Sequence, residues 1–525
     1  MDRIRPARRG APASPATTVA GLTRLVALVV LLALGGCETA LRGAQLPPPS
    51  YATAPRPDGG FAWLENAVAA RAGAAMSGFH LLDSSEEALQ WRLAVIDTAR
   101  HTLDLQYYLW HGQDSGMLVL KRVMDAASRG VHVRMLIDDI DTRDLEETLA
   151  VIGGHPRVDV RLFNPFHRRT LVGRALDVIE RLDRLNYRMH NKLLIADNQA
   201  TIIGGRNVGD EYFGMNPRFN FRDIDVLGFG PVARQSSRDF DRFWNSEWIL
   251  PIAALGRETT RDERRTLRAA IAERIRAAPG MSRFPPEPQD WRAAFAALAP
   301  QLHVGRARVP SDTPNGALIA RRSSQAVRNL LRAAREEVLI VNAYVIPDDD
   351  LVRELRSLTA SGVRVRLLTN SLASQDVPGV SSHYKPWRRP LIEAGVELFE
   401  KRPDAAIKDR VIDTPPTRSE AVGLHAKAIV VDRTRLYIGS MNLDPRSQYL
   451  NSETGVVVES PTLAQELAAI IARDSEPANA WRLTVTADGA LRWVAGQEVH
   501  DDEPASTLWQ RVQDVVFTLV PSDLY

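Results

Sequence analysis

Residues 190–207 read HNKLLIADNQATIIGGRN, and residues 425–442 read HAKAIVVDRTRLYIGSMN. Both follow one rule: His, one residue, Lys, four residues, Asp, six residues, Gly-Gly or Gly-Ser, one residue, Asn. A chain that writes so long a spacing twice must fold each copy the same way, and must have a use for both. The flanks repeat as well. Ser84-Ser85-Glu86-Glu87 is a capping-box signature for a helix to about Arg100, followed by a strand Leu103–Leu109 carrying Tyr107-Tyr108. In the second half Ser323-Ser324 opens a helix to about Arg335, and the strand Val338–Val345 carries Tyr344. Gly130 followed by a strand, then Val158–Phe163, is matched by Gly362 followed by a strand, then Gly395–Phe399. His190 and His425 lie 235 residues apart, and Tyr108 and Tyr344 lie 236 apart. Strands alternating with helices predict an α/β fold of two halves with mixed β-sheets, related by a pseudo-twofold axis and packed face to face.

The front of the chain is of another kind. Arg3, Arg5, Arg8, Arg9 and Arg24 precede the apolar run Leu25–Leu34, which ends in Leu34-Gly35-Gly36-Cys37. Ten apolar residues are about half of the ~20 needed to span a bilayer. The order of basic, apolar and small residues before Cys37 resembles a bacterial lipoprotein signal, with an ordinary signal peptide carrying a chance cysteine, or an uncleaved anchor, as the other readings. That resemblance implies that Cys37 is lipidated and that the body lies in the cell envelope, facing the periplasm. The expected boundaries are a signal peptide (1–36), a Pro-rich tether (37–75) and a first half (76–255). A connecting helical segment (256–300), a second half (301–475) and a terminal hairpin and helix (476–525) follow. The connecting segment is Arg-rich and reads as a solvated helix or a lipid-binding one. Residues 166–187 mix Arg with apolar side chains, and read either as a membrane-facing cover or as a helix inserted on the domain.

Of 66 Lys plus Arg only six are Lys, and the motif holds two of them, Lys192 and Lys427. A chain that otherwise writes Arg needs a compact ammonium at these positions. On an extended strand residues i and i+2 share a face, so each copy presents an imidazole beside an ammonium. Gly204, Gly205, Gly439 and Ser440 let backbone approach a ligand, and Asn207 and Asn442 add amide donors. Two such copies meeting at an axis make an anion site, suited to a phosphoryl group held by Lys192, Lys427, Asn207, Asn442, Gly205 and Ser440. One neutral imidazole can act as nucleophile and one protonated imidazole as acid, which permits a phosphohistidine. Asp197 and Asp432 belong to the motif's catalytic set by pattern, yet their place at turns suits holding the loops. Cys37 is the only cysteine, which excludes a thiolate zinc site, and no further ligands stand at metal spacing. No cofactor and no metal are expected. A net charge of +2 argues against a nucleic-acid partner.

The paired stretches resemble the twin signature of the phospholipase D superfamily. LQYYLWHGQDSG at 105–116, VRLFNPF at 160–166, GGRNVGDEYF at 204–213 and GVELFEKRP at 395–403 are similar to bacterial cardiolipin synthases of the C type. The resemblance implies metal-independent phosphatidyl transfer between phospholipids, with phosphatidylglycerol as acceptor, beside a membrane surface. By position it implies His190 as nucleophile and His425 as acid, an order that the pseudosymmetry leaves open. It further implies an acid orienting each histidine from the other half: Glu453, and Asp223 or Asp225, of which Asp223 fits the register better. Gly205 opposite Ser440 is a departure that predicts unequal phosphate contact in the two hemisites. The rival readings are a phospholipid hydrolase of the same mechanism, a periplasmic nuclease, and a non-catalytic lipid-binding protein.

Overall fold

The computed structural model describes residues 46–314, 320–505 and 507–517, so the leader, Cys37 and the first part of the tether lie outside the described residues. The first half contains β1 (Ser77–Leu82), β2 (Thr102–Tyr107), β3 (His132–Asp138), β4 (Val158–Phe163), β5 (Leu193–Ala196), β6 (Ala200–Gly204), β7 (Phe219–Arg222), β8 (Asp225–Phe229) and β9 (Ile249–Pro251). Helices Asp114–Ser128 and Glu146–Gly153 carry the chain back, so β2, β3 and β4 pair in parallel. The hairpin β5–β6 then joins antiparallel to β2, with β8 and β1 beyond it.

The second half contains β10 (His303–Arg308), β11 (Glu337–Asn342), β12 (Arg364–Asn370), β13 (Glu397–Lys401), β14 (Ala421–Leu424), β15 (Lys427–Val431), β16 (Arg435–Gly439), β17 (Gly455–Glu459), β18 (Ala480–Val485), β19 (Leu491–Ala495) and β20 (Glu498–His500). Its order β13-β12-β11-β15-β16-β17-β10 repeats β4-β3-β2-β5-β6-β8-β1 strand for strand. The mixed α/β duplication expected from the sequence is the fold.

The halves join in three ways. Edge strands β1 and β10 pair antiparallel. β7 and β14 pair in parallel across the middle. Between the sheets lies one apolar layer, in which Leu193, Ile203 and Val226 meet Ala428, Ile438 and Val456. Apolar residues on alternate positions of both hairpins face that layer, so burying it fixes the sheets face to face.

The tether is shorter than the sequence suggests. Ser50 and Ala52 are hydrogen-bonded to Asn245 and Asp241, and a helix runs Ala62–Ala72 with Leu64 and Val68 buried and Phe61 at 0% exposure. The apolar set Phe61, Leu64 and Val68 recurs at helical spacing, which outweighs the Pro-rich stretch before it. The connecting helix Arg261–Ala277 has a full capping box at Thr260 and Glu263. It docks a narrow edge, Ile271 and Ile275, and pairs Arg274 with Asp114 at 2.7 Å.

Each motif hairpin turns through left-handed residues, Asp197-Asn198 and Asp432-Arg433. The Asp197 carboxylate accepts from the backbone of Gly60 (2.8 Å), Arg100 (3.0 Å), His101 (2.7 Å) and Thr102 (3.0 Å). Asp432 accepts from Arg335 (3.0 Å), Glu336 (2.8 Å) and Glu337 (3.0 Å). Both aspartates therefore tie the hairpin turn to the start of β2 or β11, and this removes them from the catalytic set. The expected result of Asp197→Ala is a loss of about 3 kcal/mol in urea unfolding, with turnover per folded molecule changed only a few-fold.

Candidate active site

The backbone that sets each histidine belongs to the opposite half. His190 donates its N–H to Ser452 O at 2.9 Å, and Ser452 returns a bond to Arg188 O at 2.9 Å. His425 donates to Arg222 O at 2.8 Å, beside the β7–β14 pairing. The residue after each acceptor is an acid. Glu453 thereby meets His190 Nδ1 with both oxygens, at 3.0 and 2.9 Å. Asp223 meets His425 Nδ1 at 2.6 Å. Each half thus supplies the carboxylate for the other half's imidazole, leaving both Nε2 atoms as the reactive nitrogens. Asp225, the alternative, is instead tied to Arg92 at 2.9 Å and Arg206 at 3.1 Å.

All of this is buried: His190 is 6% exposed, His425 4%, both lysines 1%, and Glu453 and Asp223 0%. Lys192 Nζ donates back to the His190 carbonyl at 2.6 Å, and Lys427 does the same to His425. Burial lowers His190 well below the ordinary imidazole value, and the charges of Lys192 and Lys427 push the same way. His425 is lowered to about 3, by burial first and Lys427 next, against the pull of Asp223. Burial lowers Lys192 far below its usual range and Lys427 to about 8. Each ammonium bears on both imidazoles, so the four groups share one volume. An anion entering it relieves the crowding of positive charge and restores the protonated forms.

The two carboxylates are not equivalent. Burial raises Glu453 to about 8, opposed by Lys192 and by hydroxyl bonds from Ser440 and Ser447. Burial would also raise Asp223, but the charge and hydrogen bond of His425 hold it well below the usual carboxylate range, with Lys427 and Arg206 adding. The Gly-to-Ser departure narrows this difference, because the Ser440 hydroxyl favours the ionised Glu453 that burial disfavours. Ser440 Oγ donates to Glu453, accepts from Thr454 N at 3.1 Å, and is fully buried. At Gly205 a Cβ would sit 2.4 Å from Asp223 Oδ1. These positions therefore support the carboxylates. Asn207 is partly engaged, accepting from Leu109 N at 3.1 Å and donating to Tyr212 Oη at 2.9 Å. Asn442 Oδ1 is buried without a partner, so that amide can turn its NH2 group to an anion.

Four aromatic rings complete the site and were absent from the sequence-derived set, among them Phe221 at 5.0 Å from His425. Tyr108 lies edge-on to His190 at 4.9 Å with Lys192 Nζ 5.2 Å from its centroid. Tyr344 repeats this with His425 at 6.2 Å and Lys427 at 5.4 Å. Their signal was in the sequence, since their spacing matches that of the histidines to within one residue. Tyr212, edge-on to His425 at 5.2 Å, has no such repeat to betray it. Among the described residues no group of three or more His, Cys, Asp or Glu is placed to hold a metal.

Twin His-x-Lys hairpins on duplicated α/β halves, crossed by reciprocal carboxylates, define a protein of the phospholipase D superfamily. The family described as cardiolipin synthase, PLD-like domain, matches residues 93–244 and 327–475. Cardiolipin synthase C of Escherichia coli (strain K12) is 36% identical over 454 residues, 85% of this chain and 95% of that protein. The major cardiolipin synthase of Bacillus subtilis (strain 168) is 26% identical over 75% of this chain and 68% of its own. A phosphatidylserine synthase structure from Haemophilus influenzae Rd KW20 shares the fold, with a TM-score of 0.55 at 14% identity, covering 83% of this chain and 92% of that one. The chain belongs to the phospholipase D-like cardiolipin synthase family.

Two substitutions test the unequal carboxylates. Glu453 must be ionised to accept from His190 Nδ1, and burial pushes it up to about 8. Ser440→Ala removes a donor from the anion and raises that value, so the acidic limb of the kcat/KM profile moves to higher pH, with about a tenfold loss near neutrality. Gly205→Ala displaces Asp223, and kcat is expected to fall about 10²-fold or more while the urea midpoint moves little.

Proposed function

We propose that the chain is a phosphatidyltransferase that makes cardiolipin from two phospholipids at a membrane surface. The observation that carries this reading is the reciprocal pairing of Glu453 with His190 and of Asp223 with His425, closing two imidazoles and two ammonium groups into one buried site. His190 Nε2 attacks the phosphorus of the donor phosphodiester, the phosphorus–oxygen bond to the headgroup breaks, and His425 Nε2–H gives its proton to the departing alcohol. A primary hydroxyl of phosphatidylglycerol then returns its proton to His425 and attacks the phosphorus, breaking the P–N bond. Lys192 and Lys427 neutralise the non-bridging oxygens, joined by the amides of Asn207 and Asn442. Tyr108 and Tyr344 flank the ammonium groups and fix their place.

The order of the histidines follows from their carboxylates. An imidazolium is best stabilised by a carboxylate that stays ionised, and Asp223 is that one, which suits His425 to the acid. Glu453 shares its charge with hydroxyls and leaves His190 neutral and nucleophilic. The Leu34-Gly35-Gly36-Cys37 sequence supports anchoring by lipidation at the periplasmic side of the cell envelope.

Full-length protein in vesicles of phosphatidylglycerol and phosphatidylethanolamine is expected to form cardiolipin, and His190→Ala to lose roughly 10³-fold or more of that activity. Phosphatidic acid without cardiolipin would make the protein a hydrolase. The histidine roles separate on the p-nitrophenyl ester of phosphatidic acid, whose leaving group departs without a proton. His425→Asn should still release p-nitrophenol and accumulate a phosphatidyl adduct on His190, and His190→Asn should do neither.

A further inference from the structure

We propose that the helix Leu171–Leu185 docks the catalytic site on the bilayer, lying in the membrane surface with its outward face among headgroups and upper acyl chains; this rests on the phosphatidyl-transfer reading above. The helix is turned inside out relative to one that faces water. Leu171 (70% exposed), Val172 (72%), Val178 (39%), Ile179 (77%) and Leu182 (48%) form its outer face. Its inner face is polar. Asp177, 1% exposed, accepts from Arg168 N at 2.8 Å and pairs with the Arg168 guanidinium at 3.2 Å. Arg174 lies over Phe166 at 4.7 Å and reaches Asp139 at 3.5 Å. Arg184 reaches Asn164 Oδ1 at 3.3 Å. A water-facing helix buries its apolar stripe; this one turns its apolar stripe outward, with Glu180 and Asp183 as the exposed acids beside it.

The occupant follows from where the helix ends. Its C-cap, Asn186, is bonded to Arg446 at 2.8 and 3.0 Å. The Arg446 charge bears directly on His190, four residues after the cap. On the same short helix, Pro445–Tyr449, Tyr449 is 54% exposed. The C-terminal end of the helix thus lies beside the site of the buried imidazoles, whose proposed substrates are phosphodiesters held in a bilayer interface. Its fifteen residues are kinked at Arg181 and reach at most about 22 Å, less than a bilayer core, and among the described residues no helix is long and apolar enough to cross a membrane. An element of this kind lies on a membrane. Contiguous exposed apolar surface on a folded chain calls for a partner, and the bilayer is the one the substrate brings.

The test uses the full chain carrying Cys37→Ser, so that no lipid anchor masks the helix. Flotation with vesicles of phosphatidylglycerol and phosphatidylethanolamine is compared with and without Val172→Glu and Ile179→Glu. Turnover is measured on the same vesicles and on monomeric dihexanoyl phospholipid. The charged variant is expected to float at least about tenfold less and to lose vesicle turnover in proportion, with monomeric turnover kept within about twofold. Unchanged flotation overturns the proposal, and so does an equal loss on monomeric lipid, which would place the face in the substrate pocket or the fold. A lipid-free mass that halves on substitution would assign the face to a second copy of the chain. Helix-dependent flotation without cardiolipin formation would uphold the docking surface and sink the transferase reading.

Discussion

A carboxylate taken out of water must find donors, and an imidazole taken out of water must find a reason to hold one tautomer. In this protein each group answers the other, across the boundary between halves. Glu453 reaches His190 and Asp223 reaches His425, both at 0% carboxylate exposure. Neither half alone would hold a completed histidine. The apolar layer between the sheets, the β1–β10 edge and the β7–β14 pairing all serve to hold this exchange in register. Were the halves to slide by one residue, the backbone bonds His190–Ser452 and His425–Arg222 that set each acid beside its histidine would be lost.

Duplication supplies the frame, and departures from duplication supply direction. Gly205 leaves room for Asp223 to stay ionised against His425, while Ser440 places a hydroxyl on Glu453. A pair of identical hemisites could run the chemistry with either histidine first. The two carboxylates sit in unlike surroundings, and in the proposed mechanism that difference separates a nucleophile from an acid. The helix Leu171–Leu185 before His190 breaks the symmetry on a larger scale, with its apolar side chains turned outward.

Much of this was legible early because period and spacing are local properties. The strands at 103, 132, 158 and 397, the capped helix after Ser84, and the hairpin turns at Asp197 and Asp432 all follow from patterns within a few residues. The tether was misjudged where its last part, Phe61 to Val68, carries an apolar helical set that finds its partner only in the folded first half. Gly205 and Ser440 were assigned to phosphate because small residues in a motif suggest a ligand's approach. Their neighbours are carboxylates from 13 to 18 residues downstream, a proximity that no local pattern contains.

The sequence by itself determined the doubled α/β fold, since a repeated spacing is a statement about repeated geometry; the family resemblance pointed to Glu453 and to Asp223 or Asp225, and the structure pairs Asp223 with His425. Tertiary structure alone decided the rest. It put both lysines on both imidazoles, moved the motif aspartates to the far end of their hairpins, and brought Tyr212 against His425. It also settled which face of Leu171–Leu185 turns outward. The reason is that burial and charge are properties of the packed whole: a side chain's ionisation, and the side of a helix that meets solvent, depend on groups hundreds of residues away.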